Sequence, residues 1–327
     1  MKAQIIETVG APSVFKRADV PKPAVTAGHV LIRVAATSVN PLDARLRRLG
    51  GPLLGKLPAI LHLDFAGTVE AVGEGVTAFR AGDDVYGFAG GVVGIPGALA
   101  EYMLADARLI ARKPANLSMT EAAALPIVAV TAWDGLVTKA RVSSGATVLI
   151  HAAAGGVGHV AVQLAKHLGA RVFATASTTD KCAIAMRFGA EAAIDYRAQT
   201  VAAYVKQYTG GAGFDVVFDT VGGSNLDGSL TAIVVRGQVV TSQARASHDL
   251  APLHAKGGSL HVATSIMPLT TGRGREAQGK VLGEIAVLAE RGVLRPLLDR
   301  TYSFDQIAEA HTRLESGAAV GKVVVAF

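Results

Sequence analysis

Cysteine is almost absent from this 327-residue chain, in which Cys182 is the only one. A single cysteine cannot form an intrachain disulfide, and it excludes zinc sites built from several cysteines. Aromatic residues make up 5% of the chain and charged residues 18%, while half of the residues are apolar. This composition is typical of a globular α/β protein without low-complexity or disordered segments.

Long hydrophobic runs are also missing. The longest candidate, Ala122 to Trp133, is interrupted by Pro126 and is too short to span a bilayer. The first eight residues alternate as a strand does and lack the regions of a signal peptide. We therefore expect a cytoplasmic protein that does not enter a membrane.

The net charge of +6 raises the question of an anionic partner. Basic residues are dense only at Arg45, Arg47 and Arg48, and again at Arg273 and Arg275. Such clusters are compatible with a solvated surface or with an anionic cofactor or substrate. Because no interleaved aromatic and basic motif of the RNA-binding kind is present, we expect no nucleic-acid partner.

The pattern of the chain changes near residue 120. The preceding part reads as short strands and turns with one helix, Pro41–Leu49; the strands are Ala3–Glu7, His29–Thr37, Gly67–Glu74, Asp84–Gly87 and Ala100–Leu104. A capping box, Ser118-Met-Thr-Glu121, then opens an alanine-rich helical stretch that reaches about Lys139. These features predict a mainly β domain followed by a different one.

From Thr147 onward strands alternate with helices. The predicted strands are 147–151, 171–176, 192–195, 214–219, 236–241 and 259–264. Two helices, Ala277–Arg291 and Phe304–Ser316, and a last strand, Lys322–Phe327, complete the chain. The alternation predicts a doubly wound parallel sheet in a domain of residues 123–265. The last strand is expected to return to the first domain, so that 1–122 and 266–327 form the second unit.

A small-residue turn, Ala153-Ala-Gly-Gly-Val-Gly158, joins the first of these strands to an amphipathic helix. Ala153, Gly155 and Gly158 occupy the first, third and sixth positions of the dinucleotide fingerprint, with Gly156 and Val157 between them. Small residues allow a tight turn and close approach to a pyrophosphate at the helix N-terminus. The context predicts a bound dinucleotide; the alternative is a glycine-rich turn without a cofactor.

The second strand of this domain carries information on the cofactor. It reads Arg171-Val-Phe-Ala-Thr-Ala-Ser177 and lacks the acidic residue that binds the ribose hydroxyls of NAD. A carboxylate would repel a 2′-phosphate, whereas Ser177 can donate a hydrogen bond and Lys181 lies in the first turn of the next predicted helix. This pattern favours NADP(H), although Lys181 taken alone also reads as a surface lysine.

Ordered motifs along almost the whole chain resemble those of the medium-chain dehydrogenase/reductases. They include Val39-Asn-Pro-Leu-Asp43, Asp64-Phe-Ala-Gly67, Phe214-Asp-Val-Val-Phe-Asp-Thr-Val-Gly222 and Gly321-Lys-Val-Val. Within this superfamily the chain is most similar to the zinc-independent quinone oxidoreductases of the zeta-crystallin-like branch. The resemblance implies a Rossmann cofactor domain and a GroES-like catalytic domain. It also implies a homodimer joined through the edge strand 259–264.

The resemblance further assigns candidate site residues. In this branch a serine, a lysine and a tyrosine hold the 2′-phosphate, which correspond to Ser177, Lys181 and Tyr196. Zinc-dependent members place a cysteine and a histidine around the substrate; here Asn40 stands near the cysteine position. Asp64 lies in the region of their Gly-His-Glu motif and follows Leu63. We therefore expect no catalytic zinc, and we interpret His62 as a loop histidine.

The implied reaction is the NADPH-dependent reduction of a quinone or an α,β-unsaturated carbonyl. A conjugated acceptor can dispense with a metal, because conjugation spreads the developing charge. Hydrogen-bond donors would stabilise that charge, and the candidates are Asn40 on the substrate side and Thr131 beside the nicotinamide. Asp43 is a third candidate. Alternatively, Asn40 is a turn residue before proline and Asp43 caps a helix.

One departure from the family concerns substrate choice. Many quinone reductases carry a tyrosine five positions after the asparagine, where this chain has Arg45. A guanidinium favours anionic groups, so Arg45, with Arg48, is a candidate for binding a carboxylate- or phosphate-bearing small molecule such as an enoyl thioester. Alternatively, Arg45 points to solvent. The competing functions are a 2-enoyl thioester reductase and an NADPH-binding structural or RNA-binding protein.

Overall fold

The computed structural model describes the whole chain, residues 1–327, which divides into two compact units. One unit comprises Met1–Ile127 and Ile266–Phe327, and the other comprises Val128–Ser265. The domains expected from the sequence, 1–122 with 266–327 and 123–265, differ from these units only in residues 123–127. The fold class is the predicted one, a Rossmann-type α/β unit and a mainly β, GroES-like unit.

The part of the chain before residue 126 is mostly β. Its strands are β1 Lys2–Ile6, β2 Phe15–Asp19, β3 His29–Val39, β4 Ala59–Ile60, β5 Asp64–Val72, β6 Asp84–Phe88, β7 Tyr102–Asp106 and β8 Ile110–Arg112. Its helices are α1 Pro41–Leu49 and α2 Met119–Ala123.

The middle of the chain alternates helices and strands. It begins with α3 Pro126–Trp133 and a π-helical segment, Asp134–Lys139. The elements that follow are β9 Thr147–Ile150, α4 Gly156–His167, β10 Arg171–Ala176, α5 Thr179–Phe188, β11 Ala192–Asp195, α6 Val201–Thr209, β12 Phe214–Asp219, α7 Ser224–Ala232, β13 Ile233–Thr241, α8 Ala251–Ala255 and β14 Ser259–Val262.

The last part of the chain returns to the first unit. Its elements are α9 Met267–Thr271, α10 Arg275–Glu290, β15 Leu298–Ser303, α11 Ile307–Glu315 and β16 Lys322–Ala326. The longest helix, α10, has 16 residues, and no helix in the chain has both the length and the apolar character needed to span a bilayer.

Six parallel strands form the sheet of the Rossmann unit, in the order β11-β10-β9-β12-β13-β14. Leu149, Phe173 and Phe214 belong to the apolar core on this sheet. The order reverses at β9, because β10 lies on one side of it and β12 on the other. Ligands of doubly wound sheets bind beyond the carboxyl ends of the strands at such a point, and β9 leads directly into the glycine turn.

The GroES-like unit contains a sheet in the order β15-β16-β3-β5-β6-β8, with β7 also paired to β3. A smaller sheet has the order β2-β1-β4. The C-terminal strand β16 pairs antiparallel with β3, with Val323 opposite Val39, so the predicted return of the last strand is confirmed. This register brings Lys322 next to Asn40.

Several elements differ from the sequence expectation. Strands β2 and β15 were not predicted, because both are largely polar and form sheet edges with exposed or half-buried residues. The single helical stretch expected from Ser118 to Lys139 is three segments. Helix α2 ends at Ala123 and α3 begins at Pro126, in agreement with the poor fit of proline inside a helix.

Candidate active site

The glycine turn is shaped for close backbone approach. Helix α4 begins at Gly156 and has no side-chain cap, so its first N–H groups are left for a ligand. A Cβ atom at Gly158 would lie 2.2 Å from the carbonyl oxygen of Ala152, which requires glycine there. Ala153 is anchored by its N–H, which donates to the carbonyl oxygen of Thr175 at 3.0 Å.

A buried histidine lies beneath this turn, a feature that sequence reasoning did not single out. The Nδ1 atom of His151 lies 2.9 Å from Thr175 Oγ1, while its Nε2 atom is buried without a partner. Burial lowers the pKa of His151 to about 4, opposed by the charge of Asp219. The ring is therefore neutral at physiological pH and adds no charge beside the turn.

The three candidates for a 2′-phosphate come from neighbouring positions. Ser177 follows β10 and Tyr196 follows β11, and the residues before them, Ala176 and Asp195, are partners in the parallel pair. The Tyr196 N–H donates to the Ala176 carbonyl oxygen at 3.2 Å, and the Tyr196 side chain is 51% exposed. Lys181 lies in the first turn of α5. All three residues therefore lie beyond the carboxyl ends of β10 and β11.

Thr131, the candidate beside the nicotinamide, lies in α3 and is buried. Its hydroxyl donates to Ser265 Oγ at 2.9 Å. Ser265 lies just beyond the carboxyl end of β14, where doubly wound sheets bind ligands. The sequence offered no motif by which Ser265 could have been found.

In the GroES-like unit, Asn40 lies between β3 and α1 and is only 3% exposed. Its Nδ2 donates to Asp64 Oδ2 at 2.9 Å, and its Oδ1 accepts a hydrogen bond from Lys322 Nζ. The backbone N–H of Asn40 donates to Asp43 Oδ2 at 2.8 Å. Asp43 therefore caps α1, which was one of the two interpretations of its position.

Asp64 is a buried carboxylate whose two oxygens are fully engaged. Its Oδ2 accepts from Ser38 Oγ at 2.7 Å, from Asn40 and from Lys322 Nζ at 3.3 Å. Its Oδ1 accepts from the N–H of Ile127, in the first turn of α3, at 2.9 Å. Such saturation is what a buried ion pair requires.

Two further groups of this cluster have shifted pKa values. Burial lowers the pKa of Lys322, while the charges of Asp64 and Asp43 act in the opposite direction. Burial raises the pKa of Asp43 to about 7, with Asp64 adding to the rise. The Oδ1 atom of Asp43 is buried without a hydrogen-bond partner. Near neutral pH the Asp43 carboxyl group is thus close to its protonation midpoint.

The arginines of α1 do not behave alike. Arg45 is exposed and Arg48 is 60% exposed, but Arg47 has no exposure to solvent, so a surface interpretation of Arg47 is wrong. Its Nη2 pairs with Glu315 Oε2 at 2.6 Å, and its Nε donates to His311 Nδ1 at 3.4 Å. Arg47 lies on the same buried face of α1 as Asp43.

His62 is likewise more than a loop histidine. It is fully buried and adopts a φ of 74°, a left-handed conformation that is costly for a residue with a side chain. Its Nδ1 lies 3.1 Å from Thr37 Oγ1, and its Nε2 lies 3.0 Å from His311 Nε2. Both ring nitrogens are therefore occupied within the protein.

Arg47 and Thr37, the groups at the two ends of this hydrogen-bonded chain, determine which histidine ring nitrogens carry protons. Arg47 can only donate, so His311 Nδ1 accepts and His311 Nε2 carries the proton that is donated to His62. At the other end, Thr37 Oγ1 donates to the Asp64 carbonyl oxygen at 2.5 Å and accepts from His62 Nδ1. Burial lowers the pKa of both histidines, that of His311 to about 3. Nowhere in the chain do three His, Cys, Asp or Glu side chains gather as metal ligands.

Family models match both parts of the chain. The model of the alcohol dehydrogenase GroES-like domain matches residues 26–115, and that of the zinc-binding dehydrogenases matches residues 188–325. The human quinone oxidoreductase is 30% identical over 99% of this chain and 97% of its own length. The chloroplastic NADPH-dependent alkenal/one oxidoreductase of Arabidopsis thaliana is 33% identical over 99% of this chain and 79% of its own.

Solved structures give the same result. An alcohol dehydrogenase superfamily protein from Novosphingobium aromaticivorans is 40% identical, with a TM-score of 0.95 over 100% of this chain and 99% of its own. A mycobacterial protein solved with NADPH is 32% identical, with a TM-score of 0.88 over 100% of both chains. The fold and these relatives define an oxidoreductase of the alcohol dehydrogenase superfamily. Within it, the chain belongs to the quinone oxidoreductase-like medium-chain dehydrogenase/reductases.

The buried histidines make stability depend on pH. An unfolded histidine titrates near 6.5, whereas folded His311 does so at about 3. As pH falls below 6.5 the unfolded state binds more protons, so the free energy of unfolding decreases. We expect His311→Gln, which can still accept from Arg47 and donate to His62, to weaken this decrease between pH 6.5 and 4. Chemical denaturation at each pH measures it.

The matched control is His167→Gln, which changes an exposed histidine at the end of α4. It should leave the pH dependence of the unfolding free energy as in the wild type. An identical dependence in His311→Gln and the wild type would contradict the neutral, buried state of His311.

Proposed function

We propose that this protein is an NADPH-dependent reductase that transfers hydride to a quinone or an α,β-unsaturated carbonyl without a metal ion. The observation that carries the proposal is the Asn40 amide, held by Asp64 and Lys322 near the position where zinc-dependent relatives have a cysteine. The names of the human and Arabidopsis relatives, a quinone oxidoreductase and an alkenal/one oxidoreductase, support the same substrate class.

The hydrogen-bond inventory of Asn40 leaves one donor for a substrate. A side-chain amide has two N–H groups and one oxygen. The oxygen accepts from Lys322, and one N–H donates to Asp64. The second N–H can donate to the substrate oxygen on which negative charge develops. Because Asn40 is nearly buried, this hydrogen bond acts where water screens it little.

The cofactor proposal rests on the shape of the Rossmann unit. The turn of Ala153, Gly155, Gly156, Val157 and Gly158 would hold the pyrophosphate, because a Cβ atom at Gly158 would fill the space that the turn needs. Thr131 would lie beside the nicotinamide. The bound cofactor would supply the hydride, and the mycobacterial neighbour solved with NADPH supports its identity.

The 2′-phosphate would be bound by Ser177, Lys181 and Tyr196. No acidic residue lies at the end of β10, where a carboxylate would otherwise repel the phosphate. Lys181 Nζ forms no ion pair within the chain. A free ammonium group at the start of α5 is therefore available to a phosphate.

The proton balance of the reaction involves Asp43. Hydride transfer to a conjugated carbonyl leaves an enolate, which then takes up one proton at its α-carbon. The Asp43 carboxyl group, with a pKa raised to about 7, can hold a proton near the Asn40 backbone at neutral pH. Asp43 does not touch the substrate, so we propose it as a proton store close to the site, in exchange with the solvent from which the enolate takes its proton.

We propose that the site binds no metal ion. His62 and Asp64, the residues nearest to the zinc-binding motif of relatives, already have protein partners at their ring nitrogens and carboxylate oxygens.

The sheet ends at β14, whose outer side has unpaired backbone groups and the 46% exposed Val262. We infer a homodimer joined through this strand, and a cytoplasmic location in line with the lone cysteine.

The cofactor assignment is tested with a panel of quinones and enones and both reduced nicotinamide cofactors. We expect NADPH to be preferred over NADH. Lys181→Ala should raise KM for NADPH about tenfold or more, because a hydrogen bond to a charged group is worth about 1.5–3 kcal/mol. KM for NADH should not change. Lys206→Ala, at an exposed lysine of α6, is the control.

A higher kcat/KM with NADH than with NADPH would overturn the phosphate site. Equal effects of Lys181→Ala on the two cofactors would do the same, because only one of them carries the 2′-phosphate.

A second candidate, the reduction of an anionic acceptor such as an enoyl thioester, is favoured by Arg45. This side chain is exposed, forms no ion pair and lies on α1, which begins next to Asn40. Arg45→Ala should lower kcat/KM for a carboxylate- or phosphate-bearing enone about tenfold while sparing neutral quinones. Steady-state kinetics with matched substrates measures the ratio. An unchanged ratio would mean that Arg45 only faces solvent.

A further inference from the structure

The side chain of Lys322 is a buried ammonium group in contact with Asn40, the candidate hydrogen-bond donor to the substrate. All of its own N–H groups are already in use. Its Nζ contacts Val39 O at 3.3 Å, Asp64 Oδ2 at 3.3 Å and Asn40 Oδ1. An ammonium group has three N–H donors, so these three acceptors satisfy it completely. Lys322 therefore has no free N–H with which to bind a substrate.

The position of Lys322 follows from the backbone. Strand β16 pairs antiparallel with β3, and Val323 lies opposite Val39. The residues that adjoin this pair, Lys322 and Asn40, are thereby brought side by side. The register brings the two backbones together, and the side-chain contact between Lys322 Nζ and Asn40 Oδ1 joins them.

The two neighbours of Asn40 determine the orientation of its amide. A lysine can only donate, so the amide atom that faces Lys322 must be the oxygen. An ionised carboxylate can only accept, so the atom that faces Asp64 must be the nitrogen. A flipped amide would direct an N–H at the ammonium and a carbonyl oxygen at the carboxylate, and both contacts would be repulsive.

We propose that Lys322 is a positioning residue for the reduction, which holds the Asn40 amide so that its free N–H, and not its oxygen, faces the reacting oxygen of the substrate. This inference rests on the proposed function, because it assumes that Asn40 is the donor. Lys322 acts on the reaction through Asn40, both directly and by way of Asp64, which also binds the Asn40 amide. Its positive charge also polarises the amide and makes the free N–H a stronger donor.

A double-mutant cycle tests whether Lys322 acts through Asn40. Lys322→Met, of similar length but without donor or charge, should lower kcat for an enone about 100-fold, the usual cost of losing one oxyanion donor. KM for NADPH should stay within about twofold. In the Asn40→Ala background the same change should cost little, because the residue on which Lys322 acts is gone. Full additivity of the two losses would overturn the proposal.

A second variant separates orientation from charge and protects the test against misfolding. Lys322→Gln removes the charge but retains an N–H that can donate to Asn40 Oδ1. It should keep kcat within about tenfold of the wild type, because one neutral hydrogen bond replaces a charged one. A loss as large as that of Asn40→Ala would contradict an orienting role.

A spectroscopic measurement on the free protein needs no activity. The chain has only three asparagines, Asn40, Asn116 and Asn225, so selective ¹⁵N labelling resolves their side-chain amides. We expect Lys322→Met to shift or broaden the Asn40 amide signals and leave the other two in place. Unchanged Asn40 signals would overturn the proposal. If these signals respond but no acceptor is reduced, the proposed function fails and the orientation stands.

The matched control is Lys256→Met. Lys256 Nζ also donates to backbone carbonyl oxygens, those of Thr231 and Ile233, but it lies in the Rossmann unit. Its loss should lower the thermal stability while kcat and the Asn40 amide signals remain as in the wild type. The same changes in this variant as in Lys322→Met would show a general effect of removing a hydrogen-bonded lysine, and would overturn the proposal.

Discussion

The carboxylate of Asp64 has no exposure to solvent, and the polar groups around it are arranged to satisfy it. A buried charge without partners would cost several kcal/mol. Ser38, Asn40 and Lys322 donate to one oxygen, and the N–H of Ile127 donates to the other. The proposed substrate donor, Asn40, is thus ordered by the same contacts that make this charge tolerable. The hydrogen bonds that stabilise the buried Asp64 therefore also hold the candidate donor in place.

Asp64 is also linked to a second polar network of the GroES-like unit. Its backbone carbonyl oxygen accepts from Thr37, the last member of the chain that runs through His62 and His311 to Arg47. His62 has a left-handed backbone conformation, and both of its ring nitrogens are bound within the protein. Since the two histidines are neutral, the charges close to Asn40 are those of Lys322 and Asp64, together with Asp43 when it is ionised. The electrostatic field at the Asn40 amide is therefore set mainly by these three side chains.

Local sequence patterns encode part of this fold. The turn at Gly155 to Gly158 and the alternating strands of the Rossmann unit depend on near neighbours and on hydrophobic periodicity, so they could be predicted. Polar edge strands such as β2 and β15 could not, because few of their side chains are buried and the alternation that marks a strand is weak. The π-helical segment at Asp134–Lys139 has no comparable local signal.

The candidate site could be predicted only in part. Asn40 and Asp43 were found from a motif, but their partner Lys322 lies 282 residues away from Asn40 and reaches it through the register of β16 on β3. Arg47 was taken with its exposed neighbours, because its partner Glu315 is 268 residues distant. A cluster of basic letters does not reveal which member faces inward. Only the packing of α1 and α11 decides it.

The most direct measurement is enone reduction by NADPH after exhaustive chelation, with the metal content of the same sample determined by mass spectrometry. If an amide held by a buried ion pair takes the place of a metal ion, kcat should be unchanged at substoichiometric zinc. Activity that is lost on chelation and restored by added Zn²⁺ would contradict this account.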